Sequence, residues 1–207
     1  MKYTFWLLPF VLLKRLLRYM LLRIVWPVKT LIIKKIWRIQ CGRNVRFAGS
    51  VIVRAYDKHA ISIGDNTRFI SIATDNVVGL TNPTILCAAA GGKISIGHDS
   101  GFSSVVINAR ERVVIGNYVN IGGNVRIFDN DFHSLDWQDR RPPEKCDNIK
   151  RNPVIIDDDV FIGANAIILK GSHIGARSLV SAGSVVFGLN VPPDSLVKGN
   201  PAKIYSK

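Results

Sequence analysis

The sequence predicts an all-β fold, a parallel β-helix of hexapeptide repeats that follows an amphipathic helical segment. Branched aliphatic residues recur at every sixth position from Ile156 to Val186. A small or short residue lies four positions after five of them, at Val160, Ala166, Ser172, Ser178 and Ser184. Neither a helix, with a period of 3.6, nor an alternating strand, with a period of 2, produces a strict six. A coil of three short strands does, because each strand then points one aliphatic residue at the axis.

The body of the chain is expected to span residues 42–191. The six-residue phase is already present at Ile115, Ile121 and Ile127, and shorter β-branched runs precede it from about residue 42. These earlier coils are less regular, as expected for the terminal repeats of such an array. Residues 75–84 and 87–92 are predicted to be loops or distorted corners. Residues 192–207, rich in Pro and Gly, are predicted to leave the β-helix and fold back over its last coil.

The six-residue spacing of aliphatic residues stops between Ile127 and Ile156, and it is strictly regular again afterwards. The intervening loop, residues 128–153, is charged and contains three prolines. Interrupting a solenoid costs little loop entropy, and long ordered loops in compact domains are usually functional. We therefore predict that 128–153 is an active-site loop, the alternative being a merely tolerated insertion.

Residues 1–41 form a segment of different character. The chain carries a net charge of +13, and its first 56 residues hold twelve Lys or Arg and no Asp or Glu. The longest apolar run, Tyr3 to Leu13, is too short to span a bilayer. An amphipathic helix, broken near Pro27 and carrying Trp6, Trp26 and Trp37, is expected to lie in the plane of an anionic membrane surface.

Three other interpretations of this segment remain open. The helix could pack on the β-helix itself, dip into the bilayer as a hairpin, or act as a nucleic-acid arm. The last fits least, because a solvated basic arm would not be this rich in Leu, Ile and Trp. The odd number of cysteines, without metal-ligand spacing, suits a reducing compartment. We therefore expect a peripheral protein on the cytoplasmic face of the inner (plasma) membrane and no nucleic-acid partner.

The segment IDDDVFIGANAIILKGSHIGARSLVSAGSVV, followed by PPDSLVKGNPAK, resembles the sugar O-acetyltransferases of the hexapeptide-repeat family. The maltose, galactoside, capsule and lipopolysaccharide acetyltransferases belong there. The resemblance covers residues 94–203. It implies a left-handed β-helix, a homotrimer, acetyl-CoA as the donor, and direct transfer of the acetyl group to a hydroxyl of a sugar or surface glycan.

The resemblance places the catalytic base at His133, because Asp129-Asn-Asp-Phe-His133 matches a D-x-D-F-H element of that family. The chemistry agrees, since the attacking hydroxyl must lose a proton and imidazole titrates near neutrality. Asp131, Asp129 or a backbone carbonyl could fix the imidazole tautomer. A solvated surface histidine is the alternative. The remaining histidines, His59, His98 and His173, match no motif and are taken as surface residues.

The resemblance also suggests which residues bind the donor and the acceptor. The expected coenzyme A contacts are Ala164, Ala182, Lys198, Asn200 and Lys203. The acceptor side is assigned to Asn108, Asp131 and Trp137. The pattern departs from the galactoside enzymes at residues 187–190, so no role is carried over there.

Two rival functions are considered. One is N-acetylation of an amino sugar or nucleotide sugar, and the other is a non-catalytic membrane-anchored scaffold. A carbonic anhydrase on this fold would need several histidines around zinc, and His133 has no such partners in the sequence. We therefore predict no metal site. The pairing of the His133 loop with the GNPAK tail favours an enzyme over a scaffold.

Overall fold

The computed structural model describes residues 8–74, 76–141 and 148–206. It begins with a helical segment made of α1 (Leu8–Met20), a π-helical turn (Leu21–Val25) and α2 (Trp26–Ile36). The helix was expected to break near Pro27, but it continues through this point. Pro27, which has no N–H to donate, directly follows the π-helical turn, in which the Trp26 N–H donates to the Leu21 carbonyl. Lys2 and Trp6 of the expected membrane segment lie outside the described residues.

The described residues after α2 form 21 short strands. In chain order they are β1 (Gln40–Cys41), β2 (Arg46–Gly49), β3 (Val51–Ala55), β4 (Ile61–Ile63), β5 (Arg68–Ser71), β6 (Thr84–Ala88), β7 (Lys93–Ile96), β8 (Gly101–Ser103), β9 (Val106–Ala109), β10 (Arg112–Ile115), β11 (Asn120–Ile121), β12 (Arg126–Phe128), β13 (Val154–Ile156), β14 (Phe161–Ile162), β15 (Ile167–Leu169), β16 (His173–Ile174), β17 (Leu179–Val180), β18 (Val185–Val186), β19 (Asn190–Val191), β20 (Ser195–Gly199) and β21 (Ala202–Ser206).

Every third strand belongs to the same sheet, so the chain winds through three parallel sheets as a left-handed β-helix. Sheet 1 runs from β1 to β19, sheet 2 from β2 to β20, and sheet 3 from β3 to β18. Each successive coil pairs with the one before it in register, for example Ile115 with Ile156 and Ile162 with Val180. The predicted fold class is therefore confirmed.

The core is made of stacked columns of inward side chains. The six aliphatic residues from Ile156 to Val186 that set the period are all at most 1% exposed. The small residues four positions later, such as Ala166 and Ser178, are buried beside them. In the early coils of sheet 2, the rings of Phe47, Phe69 and Phe102 stack with centroids 4.8 and 4.7 Å apart. The spacing matches the ~4.8 Å between paired strands, which is why identical side chains stack well in this fold.

Helix α2 closes the first end of the β-helix. Phe47 lies in the first coil and yet is fully buried, because α2 packs over it. The hydroxyl of Thr30, the one buried residue of α2, accepts a hydrogen bond from the Phe47 backbone N–H at 3.3 Å. Lys29 donates to the Gly49 carbonyl, and Ile33 packs against the core. The helix is therefore a cap on the β-helix, one of the arrangements that the sequence left open.

The ends of the β-helix differ from those expected at residues 42 and 191. The first strand begins at Gln40, and Ile39 is already buried in the core. At the other end, β20 adds one more parallel strand to sheet 2, with Val197 fully buried on the axis. Only β21 turns back, as the antiparallel partner of β20. The tail therefore extends the last coil before it folds over, because Leu196 and Val197 continue the inward–outward alternation.

Two long loops leave this regular frame. Residues 72–83 project from the corner between sheets 2 and 3, close to the loop expected there. The loop expected at 87–92 is shorter, since Cys87 and Ala88 still belong to β6. Residues 129–153 project from the corner between sheets 3 and 1, as predicted. Within that loop, residues 142–147, which include Cys146, lie outside the described residues.

Candidate functional site

The 129–153 loop starts from a buried carboxylate. Asp129 is fully buried and accepts hydrogen bonds from the backbone N–H groups of Arg110, Glu111 and Arg112, at 2.7–3.1 Å. These three residues form the corner of the coil directly below. Buried charge is tolerated where it is fully hydrogen-bonded. Asp129 therefore ties the root of the loop to the β-helix.

Asn130, also buried, fixes the next turn of the loop. Its Nδ2 donates to Asn108 Oδ1 and to Asp129 Oδ1, both at 2.9 Å, and its Oδ1 accepts from the Phe132 N–H at 2.9 Å. Phe132 is held at φ 62°, with its ring edge-to-face against Phe128 at 4.9 Å. Asn108, which was assigned to the acceptor side, thus lies at the base of the His133 loop. The contribution of Asn130 was not found from the sequence.

His133 follows this turn and is exposed at the surface. Its backbone N–H donates to the Asp131 carbonyl at 2.7 Å, which closes a tight turn. Asp131 in turn forms an ion pair with Lys170, and both side chains are less than a fifth exposed. The second oxygen of Asp131, Oδ2, is buried and accepts no hydrogen bond from the described residues. Asp131 thus has a carboxylate oxygen with spare hydrogen-bonding capacity, two residues before His133.

Lys170 is a site residue that the sequence did not reveal. It follows Leu169 at the corner where the next coil meets the loop, and its Nζ lies 5.0 Å from the centroid of the Phe187 ring. The sequence shows only a single lysine after an apolar run, and this does not indicate which residue the lysine would contact. The lysine joins the loop to the following coil and holds Asp131 in place.

The outer part of the loop presents Trp137, which is 53% exposed. The guanidinium of Arg141 lies over its ring, 4.3 Å from the centroid. The buried hydroxyl of Ser134 donates to Asp139 at 2.8 Å, and Arg140 donates to the carbonyls of Ser134 and Leu135. These contacts give the loop its own internal structure, so Trp137 is presented on an ordered surface near His133.

A second group of predicted residues lies at the corner between sheets 2 and 3. The register stacks Gly123, Ala164, Ala182 and Gly199 at one position of four successive coils. A Cβ added at the neighbouring Gly163 would approach the Ala182 nitrogen to 2.4 Å, so the corners stack closely. The 72–83 loop covers Gly123, whereas Ala182 and Gly199 are exposed. The result is a column of small residues with open space beside its last two coils.

The predicted cations flank the end of this column. Lys198 and Lys203 are directly paired across β20 and β21, and Asn200 lies in the turn that joins the strands. Two like charges opposite each other destabilise a strand pair. The Lys198 Nζ also lies 4.5 Å from the Tyr205 ring centroid. This hairpin is therefore an exposed cationic surface suited to phosphate groups.

The two groups lie at opposite edges of sheet 3. His133, Asp131 and Asn108 lie at or near the root of the 129–153 loop. Ala164, Ala182 and the Lys198 hairpin lie at the corner between sheets 2 and 3. The structure does not bring the two groups together within one chain, because the three-residue width of sheet 3 separates them. Strands rise about 3.3 Å per residue, so this gap is of the order of 10 Å.

Two of the other histidines are near single carboxylates. His98 contacts Asp99 at 2.8 Å, and His173 contacts Asp157 at 2.9 Å. Across the part of the chain that the structure describes, no cluster of three or more His, Cys, Asp or Glu side chains could hold a metal ion.

Comparison with known proteins finds acyltransferases and acetyltransferases that are similar to this chain. Residues 153–187 match the family model described as "Hexapeptide repeat of succinyl-transferase". A 2,3,4,5-tetrahydropyridine-2,6-dicarboxylate N-acetyltransferase from Clostridium perfringens is 54% identical over 63 residues, 30% of this chain and 24% of that protein. The enzyme of the same name from Staphylococcus aureus is 51% identical over 56 residues, 27% of this chain and 23% of that protein. The match thus spans about a quarter of the length of these curated relatives.

Two solved structures extend the similarity to most of the chain. A hexapeptide-repeat acetyltransferase from Vibrio cholerae, complexed with acetyl-CoA, is 27% identical with a TM-score of 0.55; the match covers 91% of this chain and 81% of that one. A variant of AntD, an N-acyltransferase from Bacillus cereus complexed with dTDP and coenzyme A, is 25% identical with a TM-score of 0.63, covering 84% and 86%. In fold and repeat, the chain is thus similar to hexapeptide-repeat acetyltransferases. AntD and the two dicarboxylate enzymes are N-acyl- or N-acetyltransferases, so the sugar O-acetyltransferase subtype remains a prediction.

Proposed function

We propose that this protein is an acetyltransferase that uses acetyl-CoA as the donor and a sugar as the acceptor, with His133 as the general base. The observation that carries the proposal is the anchored loop that presents His133. A solenoid gains nothing structurally from a loop rooted on a buried carboxylate, and such ordered insertions are typical of functional sites. The resemblance to acetyl-CoA-dependent enzymes of the same fold supports the choice of donor.

His133 accepts the proton of the attacking acceptor group while that group adds to the thioester carbonyl. The tetrahedral intermediate then collapses, the C–S bond breaks, and the leaving coenzyme A sulfur takes the proton that His133 had accepted. Asp131, held by Lys170, lies two residues before His133, and its Oδ2 has hydrogen-bonding capacity that no described residue uses. It can accept a hydrogen bond from a sugar hydroxyl or from the imidazole, and either contact would orient the reaction.

The donor is assigned to the column of small residues. Ala164 and Ala182 leave room for the pantetheine arm along the corner between sheets 2 and 3. Lys198 and Lys203 neutralise the phosphates of coenzyme A, which offsets the cost of placing two lysines opposite each other. Asn200 lies in the intervening turn, where its amide can contact the same group.

We also propose a homotrimer, because it joins the two halves of the site. The outward face of sheet 3 is largely apolar, and its half-buried residues would be covered by a neighbouring copy: Ile85, Val106, Phe128, Ile167, Leu169 and Val185. In a closed ring, the corner with the His133 loop of one copy meets the corner with the Ala182 column of the next. Each active site would then combine the His133 loop of one copy with the Ala182 column of the next, and neither chain would have to move to bring the two together.

The acceptor atom is either a hydroxyl or an amine. The resemblance to the sugar O-acetyltransferases favours a hydroxyl. The N-acyltransferase AntD, whose structure was solved in complex with dTDP, and the dicarboxylate N-acetyltransferases favour an amine. A histidine base serves both, since it can deprotonate a hydroxyl or an ammonium group.

The test is incubation of the purified full-length chain with [¹⁴C]acetyl-CoA and a panel of glycans, amino sugars and nucleotide-linked amino sugars. Release of free thiol together with labelled sugar is the expected result. Mild base then separates the two chemistries, because it hydrolyses an O-acetyl ester and leaves an N-acetyl amide intact. Failure of acetyl-CoA to raise the melting temperature of the protein would overturn the donor assignment, since a bound ligand stabilises the folded state.

A further inference from the structure

The outward face of α2 is apolar, whereas a helix that faces water usually has a polar outward face. The inward face of α2 carries Thr30 and Lys29, which hydrogen-bond to the first coil, and Ile33, which packs against the core. Its outward face carries Leu31, Ile32 and Ile36, which are 64%, 52% and 66% exposed. Surface helices of soluble proteins turn their apolar stripe to the core and their polar residues outward. The outward stripe of α2 therefore requires an apolar partner that is not the β-helix.

The same surface continues through the π-helical turn and α1. Ile24 and Val25 are exposed between the two helices, and α1 adds Phe10 and Tyr19, which are 70% and 60% exposed. The exposed large apolar side chains of this segment are Phe10, Leu12, Leu13, Leu16, Leu17, Tyr19, Met20, Leu21, Ile24, Val25, Val28, Leu31, Ile32, Ile36 and Trp37. Scattered single residues need no explanation, but a continuous apolar surface of this size marks an interaction site.

Charge identifies the partner. Lys14, Arg15, Arg23, Lys34 and Lys35 are exposed among these apolar residues. The chain has no acidic residue before Asp57, so nothing on this surface neutralises them. A second copy of the same helices would bring like charges together. An anionic bilayer would instead accept the apolar side chains below its phosphates and the cations beside them.

We propose that residues 8–37 dock the protein in the plane of a membrane that contains anionic lipids. No helix in the described parts of the chain is long and apolar enough to cross a bilayer, which agrees with docking in the plane. Indole and phenol rings at Trp37 and Tyr19 suit the headgroup region. The inference rests on this surface and is independent of the proposed catalytic function.

The cap geometry gives the docked protein a defined orientation. Because α2 covers the first end of the β-helix and its apolar face points away, the membrane faces that end. The 129–153 loop follows β12, three strands along sheet 3 from β3. At about 4.8 Å per strand, the loop root stands of the order of 15 Å from the capped end. An acceptor held by a lipid anchor would therefore lie within reach of His133.

Vesicle flotation tests the proposal with the full-length chain. At low salt, wild-type protein should float with phosphatidylcholine vesicles containing phosphatidylglycerol, and much less with phosphatidylcholine alone. The double variant Leu31→Glu/Ile36→Glu should lower the bound-to-free ratio by at least about tenfold, because each charge must enter the apolar layer. The control Tyr56→Glu/Val77→Glu adds the same charge at residues that are 66% and 101% exposed on the body, and it should change the ratio little.

A second pair tests the charges. Lys14→Gln/Lys35→Gln should lower binding to the anionic vesicles by about tenfold or more, since each lysine near such a surface contributes about 1 kcal/mol. The control Lys93→Gln/Arg112→Gln removes the same charge from sheet 1. Equal effects of test and control pairs, or equal binding to both lipid compositions, would overturn the proposal. So would unchanged flotation of the Leu31→Glu/Ile36→Glu variant with loss of its oligomer, which would assign the surface to a second copy.

Discussion

At the scale of single residues, the catalytic assignment depends on one exposed imidazole. His133→Ala should lower acetyl transfer about 10²- to 10⁴-fold, the usual contribution of a general base, and leave the melting temperature nearly unchanged. His98→Ala is the control, because His98 is another histidine with solvent access but lies at another corner of the β-helix. Turnover of His133→Ala above a tenth of wild type, with chemistry rate-limiting, would remove His133 from the mechanism.

Cys41 gives a prediction about pH. Burial raises the pKa of its thiol to about 11 from an ordinary value of 9.0, while nearby Lys34 acts in the opposite direction. The thiolate is the reactive form, so at about pH 8 the native chain should hold roughly 100-fold less of it than the unfolded chain. Iodoacetamide labelling followed by peptide mass spectrometry measures this ratio. The folded state favours the neutral thiol, so this stabilising preference is complete below pH 9 and is lost as the pH rises through 11. Labelling as fast as in urea would mean that the first coil opens readily.

At the scale of structural elements, the corner between sheets 2 and 3 is assigned to the donor. Ala182→Trp should fill the open space beside the column and raise the KM for acetyl-CoA at least about tenfold, with a smaller effect on the acceptor KM. Ala176→Trp places the same ring at the corner between sheets 1 and 2 of the same coil, and it should leave both constants near wild type. Equal changes in the two KM values for Ala182→Trp would show that the column does not hold the donor.

The strands themselves were largely predictable, and the site contacts were not. The six-residue period identifies inward residues such as Ile162 and Val186, because each short strand points at least one aliphatic side chain at the axis. It also locates the loop that carries His133. It cannot reveal that Asp129 binds the previous coil or that Lys170 binds Asp131, because these pairs depend on how an aperiodic loop folds back. For the same reason, the sequence could offer the helical cap only as one alternative. The contact between Thr30 and Phe47 joins two segments with different periods.

At the scale of the whole molecule, sheet 3 is the expected trimer interface. Ile167→Glu should convert the trimer to monomer, raising the dissociation constant by about 100-fold or more, because a buried unpaired charge costs several kcal/mol. Ile155→Glu is the control, since Ile155 is equally half-buried and outward in the same coil but on sheet 1. Light scattering after size exclusion gives the mass of each variant. A monomeric wild type would overturn the trimer, and dissociation by Ile155→Glu alone would place the interface elsewhere.

The 129–153 loop also has a consequence for the order of folding. It makes neighbouring coils distant in sequence: Asn117 contacts Asp158, 41 residues later, whereas Arg177 contacts Asp194 only 17 residues later. Closing the longer connection costs more chain entropy, by about 0.8 kcal/mol. The last three coils, with perfect phase and short connections, therefore have the lowest barrier to association. They can form a template on which the earlier coils, including the capped end, assemble in the reverse of their order of synthesis.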